Sequence, residues 1–344
     1  MDFKISESAA RIFTNEFQWL SALVKKRLEV EWSCHRLICS SERELQNLFD
    51  YANNFGLMLK TIYKYSLFES FEDEINWYIR AFTVRESGNV YLSTLLESWI
   101  IAIQGIINPP ESTELSAPLE KLHKELPENV EKLVKNLKFS ISETKNPIVQ
   151  SLINGDLHSA IKFIENLKSP DRAILEFILP AMAEIGLLWE LNRIEIFEEH
   201  IATEIVRLIL ANIGLNEKKI NLKKSKKVLI SCVAGDRHDL IPLALWSYLE
   251  TKGFITKNLG ADLPSEQIAK AVSKFTPDIL FLVLNLLHHI DDALETIEMV
   301  KNQYSNCKIL LGGRAAVKGI KIFEKKEAYV VKDFEEAIKI IDKE

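Results

Sequence analysis

KVLISCVAG, residues 227–235, is a short apolar run ending in glycine, and four more such runs follow: ITKNLGA (255–261), DILFLVLNLL (278–287), KILLGG (308–313) and AYVV (328–331). Helical stretches separate them, beginning near Leu240, at Pro264-Ser265 and at Ile290, with a short one after Gly313 and FEEAIKIID (334–342) as the last. Five apolar strands alternating with helices specify a parallel sheet covered on both faces, because only strands buried on both sides read as near-continuous hydrophobic runs. In an open sheet of this kind a ligand binds beyond the carboxyl ends of the strands. The loops after the first, third and fourth strands are therefore the places to look.

Upstream the pattern is helical. Residues 1–140 carry apolar residues three and four apart, as in Phe13, Phe17, Leu20, Val24 and in Leu45, Leu48, Phe49, Ala52, with no strand signal. Their many aromatic residues fill a bundle core on the plainer reading and offer a sensor or partner-docking surface on the sharper one. LKFSISETKNP (137–147) is polar and ends in proline, so it is expected to be a linker. A second helical unit, 146–216, has room for four helices, one of them opened by Ser169-Pro170-Asp171, where proline's missing N–H costs nothing. The basic stretch NEKKINLKKSKK (216–227) leads into the sheet domain, 225–344. The expected fold is thus multidomain: an N-terminal all-α bundle, a four-helix unit and a C-terminal α/β, Rossmann-like (flavodoxin-like) domain on a five-stranded parallel sheet.

Composition narrows the function classes. At 344 residues the chain suits two or three compact units. It is 47% hydrophobic and 27% charged, which argues against wholesale disorder. Acidic residues outnumber basic ones 49 to 43, for a net charge of -6, so direct nucleic-acid binding is not expected. The start MDFKISESAA is unlike a secretory signal, and the longest apolar runs, Trp99 to Ile107 and Ile279 to Leu287, are too short to span a bilayer. A cytoplasmic protein with no membrane association and reduced thiols at its four cysteines is expected.

Glycine is scarce, at 12 residues, so its clusters carry meaning. Gly312-Gly313 at the end of the fourth strand is either a tight strand-to-helix turn or a place where backbone approaches a ligand. In the loop after the first strand, Asp236 lies two residues before His238. A carboxylate there can hold one imidazole nitrogen and leave the other to bind a metal or move a proton; the plain alternative is a solvated surface histidine. His288-His289 and Cys34-His35 with Cys39 are further possible ligands, but neither group makes up a four-ligand zinc set.

Together the Asp236-x-His238 loop, the LGADLP stretch (259–264) and the Gly312-Gly313 turn resemble the cobalamin-binding domain of methionine synthase, corrinoid carrier proteins and the light-sensing MerR-type repressors. The unit before them resembles that family's four-helix cap through Asn154-Gly155-Asp156, Leu179-Pro180, Ile185-Gly186 and a W-x9-EH signature at Trp189, Glu199 and His200. The resemblance implies a cobalamin, adenosyl- or methylcobalamin, with His238 as lower axial ligand to cobalt in place of the cofactor's own benzimidazole. It implies that Asp236 orients His238, that Gly312 and Gly313 make room for the nucleotide tail, and that Trp189, Glu199 and His200 line the upper face.

Three positions depart from the family pattern. Ile241 stands where the family has the glycine of D-x-H-x-x-G, and Glu190 follows Trp189 where the light-sensing repressors have a histidine. Val283 occupies a Ser/Thr position that contacts the tail, with Asn285 two residues on as a hydrogen-bonding substitute. The expected role is a cobalamin-dependent sensor reporting to the N-terminal helical domain, which binds a protein partner; no catalytic residue is assigned. The alternatives are a corrinoid carrier for methyl transfer and a module that has lost its cofactor and serves protein interaction.

Overall fold

The computed structural model describes residues 3–34, 37, 42–85, 88–136, 146–216 and 226–342. The expected linker at 137–147 and the basic stretch at 216–227 lie largely outside these residues, as do His35 and Cys39. The chain divides into two compact units, one of residues 1–140 with 190–192, the other of 141–189 with 193–344.

The first unit is all-helical: α1 (Glu7–Ser33), α2 (Glu42–Tyr65), α3 (Phe68–Thr83), α4 (Gly88–Ile106) and α5 (Glu111–Asn136). Ser6 caps α1 by accepting from the backbone N–H of Ala9, satisfying one of the donors a helix start leaves open. Aromatic side chains do fill the core: Trp99, Phe13, Phe55, Phe71 and Tyr63 are fully buried. Gly56 makes this possible, since a Cβ there would lie 2.1 Å from the Trp99 ring. Trp19, 70% exposed, stands outside that core with Leu23 and Val30 on α1.

The second unit opens with helices α6 (Val149–Ile153), α7 (Leu157–Asn166), α8 (Pro170–Arg172), α9 (Leu179–Glu190) and α10 (Ile196–Asn216). Asp156 caps α7 through the Ser159 N–H (3.0 Å). A π-helical turn, Ala173–Ile178, runs between α8 and α9, so the stretch begun by Ser169-Pro170 is continuous but locally widened and underwound.

The sheet follows: β1 (Lys227–Cys232), α11 (Leu240–Thr251), β2 (Ile255–Asn258), α12 (Ser265–Phe275), β3 (Ile279–Val283), α13 (Ile290–Gln303), β4 (Lys308–Gly312), α14 (Arg314–Lys318), α15 (Ile320–Glu324), β5 (Tyr329–Val330) and α16 (Phe334–Asp342). All strand pairs are parallel, in the order β2-β1-β3-β4-β5. This is the doubly wound order whose direction reverses between β1 and β3, which opens a crevice at their carboxyl ends. β1 after Lys227 and all of β3 are buried, as their continuous apolar runs require. Alternate residues Val228, Ile230, Cys232, Ile279, Phe281, Val283, Leu310 and Val331 form one core layer with Leu245 and Leu249 of α11 and Ile341 of α16.

α10 and the start of α8 dock on α11. Gly214 lets α10 approach Trp246, whose ring lies 2.4 Å from where a Cβ would stand. Ser247 Oγ donates to the Leu210 carbonyl (2.7 Å), and Lys252 pairs with Asp171.

Candidate functional site

The β1 end turns through Gly235, at φ +77°, whose N–H donates to Asp262 Oδ1 (2.8 Å). Only glycine fits here: an added Cβ would lie 2.2 Å from the His289 ring. The turn delivers Asp236 into the interior with no exposed surface. Its Oδ1 accepts from the backbone N–H of His238 (3.1 Å) and from His238 Nδ1 (2.7 Å), while Oδ2 accepts from the backbone N–H of Asn285 at the β3 end (2.7 Å). One carboxylate thus ties together the two loops that border the crevice.

Burial alone would raise the Asp236 carboxyl, but the hydrogen bonds from His238 and the Asn285 N–H outweigh it and hold the group below the ordinary value. The same bond to Asp236 raises the His238 imidazole against the opposing effect of burial. An ionised carboxylate only accepts, so Nδ1 carries the proton, and in the neutral ring Nε2 keeps its lone pair. The His238 side chain is 53% exposed, so it reaches the open crevice.

Around this pair the Nδ2 of Asn285 is buried without a hydrogen-bond partner. Such an orphan donor costs free energy and fits an acceptor brought by a ligand. Gly313, at φ +105°, lets the β4 end pass against β3: a Cβ would lie 2.4 Å from the Leu284 carbonyl and 2.9 Å from Asn285 Oδ1. Asp236, His238, Asn285 and Gly313 therefore meet at the strand ends. Glu199 and His200 form a separate pair on α10 (2.8 Å), with Thr203 Oγ1 donating to Glu199 (2.8 Å) and His200 70% exposed. Exposed Ile196, Phe197 and Ile201 surround them on the same helix, and Trp189 is half-buried at the end of α9.

One feature of this site escaped sequence reasoning. Arg207 of α10 makes a bidentate pair with Asp239 (2.7 and 3.1 Å), the residue next to His238, so the helical part grips the ligand loop directly. The partners are 32 residues apart in sequence and nothing in the spacing marks them.

His288, whose ring centroid lies 4.2 Å from that of His289 with the two planes tilted by 56°, is pushed down to about 4 by burial and then by its neighbour. Its unfolded form takes a proton near 6.5, the folded form only near 4, so its contribution is complete above about 6.5 and lost as pH falls towards 4. The loss over that range is roughly 3 kcal/mol. Urea unfolding at pH 4.5 and pH 7 is expected to show a drop about 2 kcal/mol larger in the wild type than in His288→Gln; equal drops would contradict it.

Among the described residues no three His, Cys, Asp or Glu side chains converge as a metal set. Two family descriptions, both of a B12 binding domain, match residues 145–213 and 226–341. This part of the chain belongs to the cobalamin-binding domain family. Its members characteristically take a cobalamin-type cofactor.

An HTH-type transcriptional repressor, CarH of Myxococcus xanthus, is 22% identical over 148 residues, 43% of this chain and 48% of the repressor, so the match spans less than half of that relative. The monomethylamine corrinoid protein of Methanosarcina barkeri aligns at 17% identity over 57% of this chain and 95% of its own, with a TM-score of 0.46. A cobalamin-binding protein from Desulfitobacterium hafniense aligns at 21% identity over 58% and 97%, with a TM-score of 0.33. Among the described residues no helix is long and apolar enough to cross a membrane.

Proposed function

We propose that the cobalamin-binding module holds a corrinoid with His238 Nε2 on the lower face of cobalt, and that occupancy is sensed and passed to the N-terminal helices. The observation that carries this is the buried Asp236, which fixes the tautomer of His238 and leaves Nε2 free at the sheet's switch point. The residues present suit a corrin ring: it brings four nitrogens of its own, needs one axial base beneath, and carries amide carbonyls that the Asn285 Nδ2 can meet. When bound, the cofactor supplies a labile cobalt–carbon bond to an adenosyl or methyl group. Asp236 raises the basicity of the imidazole and keeps its proton on Nδ1.

Sensing is supported by the Arg207–Asp239 pair, since any shift of the His238 loop pulls on α10, which also carries Glu199 and His200. These two residues with Trp189 are proposed to line the upper face, beside the exposed Ile196, Phe197 and Ile201. Gly312 and Gly313 are proposed to bound the lower side. On the output side a protein partner is proposed, and the exposed Trp19, Leu23 and Val30 of α1 support it.

The test is to mix the purified full chain in the dark with hydroxocobalamin and, separately, with aquocobinamide, remove free ligand and record cobalt content and visible spectrum. Close to one corrinoid per chain is expected with at least one of the two, and His238→Ala is expected to shift the spectrum of the bound form. Retention of neither contradicts the reading.

A further inference from the structure

The lower side of this site is filled. For His238 to bind cobalt from below, a cobalamin must release its own benzimidazole, and the freed nucleotide loop then needs a berth under the ring, among the strand ends. Cys232, Val283 and Gly312 lie side by side there, in register across β1, β3 and β4, on the face covered by α11. Gly312 lacks a side chain, yet the space it vacates is occupied: a Cβ would meet the Phe281 ring at 2.9 Å and Val331 at 3.6 Å. Cys232 and Val283 have no exposed surface, and Phe281 and Val331 are 2% exposed. Ile241, in the first turn of α11, packs against the same cluster and closes it from the helix side.

Nothing in this row suits a nucleotide. Its members are apolar except for the Cys232 thiol, which is turned to the His238 carbonyl (3.7 Å) and is pushed up by burial. Protein interiors are packed to crystal density, so admitting a benzimidazole with its sugar and phosphate means displacing several side chains and burying a charge without a partner. The corrin ring itself needs none of this space, because His238 and Asn285 stand at the crevice above it.

We infer that this site selects corrinoids whose lower nucleotide loop is absent or too short to enter the sheet domain, because Ile241, Phe281, Val283 and Val331 fill the space beside Gly312. The inference rests on the proposed corrinoid site and specifies its ligand class. It is tested by measuring, with the full chain in the dark, the dissociation constants of aquocobinamide and hydroxocobalamin by ultrafiltration. Wild type is expected to hold aquocobinamide at least tenfold more tightly. Ile241→Ala with Val283→Ser is expected to narrow that ratio at least threefold, thermal melting reporting that the variant is folded; if it is not, Ile241→Ala alone, at a partly exposed position, serves. Equal or tighter binding of hydroxocobalamin by wild type overturns the inference and leaves the corrinoid site standing. A tenfold preference that the folded variant leaves unchanged overturns the assignment to these side chains. Binding of neither ligand removes the corrinoid site and the inference with it.

Discussion

Asp236→Ala is expected to lower the stability of the folded chain by about 3–4 kcal/mol and to release His238 from its fixed orientation. Three donors depend on this one carboxylate, the His238 N–H, His238 Nδ1 and the Asn285 N–H, and alanine leaves the two partly buried backbone donors without their acceptor. Each buried donor left unsatisfied costs about 1–3 kcal/mol. Asp236→Asn, which keeps one acceptor oxygen, should lose less, and urea unfolding at pH 7 measures both.

The pH dependence has a defined sign. The depressed Asp236 carboxyl contributes stability that is present above the ordinary carboxylate range and lost as pH falls through its folded value. The raised His238 contributes below its ordinary value and is lost as pH rises through its folded one, an effect damped by solvent because the ring is half-exposed. An Asp236→Ala protein as stable as wild type would mean that the carboxylate does not bridge the two loops.

Gly313→Ala is expected to cost more than about 3 kcal/mol of stability. The residue sits at φ +105°, and its new Cβ would meet the Leu284 carbonyl at 2.4 Å. That carbonyl cannot swing away, because it accepts the N–H groups of Ala315 and Ala316 at the start of α14 (3.2 and 3.3 Å). Gly312→Ala meets side chains alone, closest the Phe281 ring at 2.9 Å, and a side chain can yield where backbone cannot. Its expected cost is about 1–2 kcal/mol. Thermal or urea unfolding of the two variants should place Gly313→Ala well below Gly312→Ala; the reverse order would contradict the distinction drawn between the two glycines.

The sheet was readable in advance because buried parallel strands leave continuous apolar runs, and the scarcity of glycine made Gly312-Gly313 conspicuous. Asp236-x-His238 was readable because a carboxylate two residues away is close enough to hold an imidazole through the local backbone. Asn285 came from the family pattern, but its orphan Nδ2 is a property of packing that no spacing reveals. The Arg207–Asp239 grip joins segments far apart in sequence and became visible only when α10 was seen against α11. Ile241 and Val283 stood out as departures by letter alone. What they do, closing the space beside Gly312 together with Phe281 and Val331, is a matter of strand register and side-chain parity. The first unit was legible as a helical bundle with an aromatic core, whereas the pairing of Gly56 with Trp99 that permits the core depends on how α2 and α4 come together.

The central claim, that His238 Nε2 is the base beneath cobalt, is tested most directly by electron paramagnetic resonance of the full chain loaded with cobinamide and reduced to cobalt(II). Cobinamide carries no lower base of its own, so a nitrogen bound axially must come from the protein. The account predicts cobalt lines each split into three by a single axial nitrogen, with the splitting lost in His238→Ala. Bound cobinamide that shows no nitrogen splitting in the wild type, or the same splitting in His238→Ala, would contradict it.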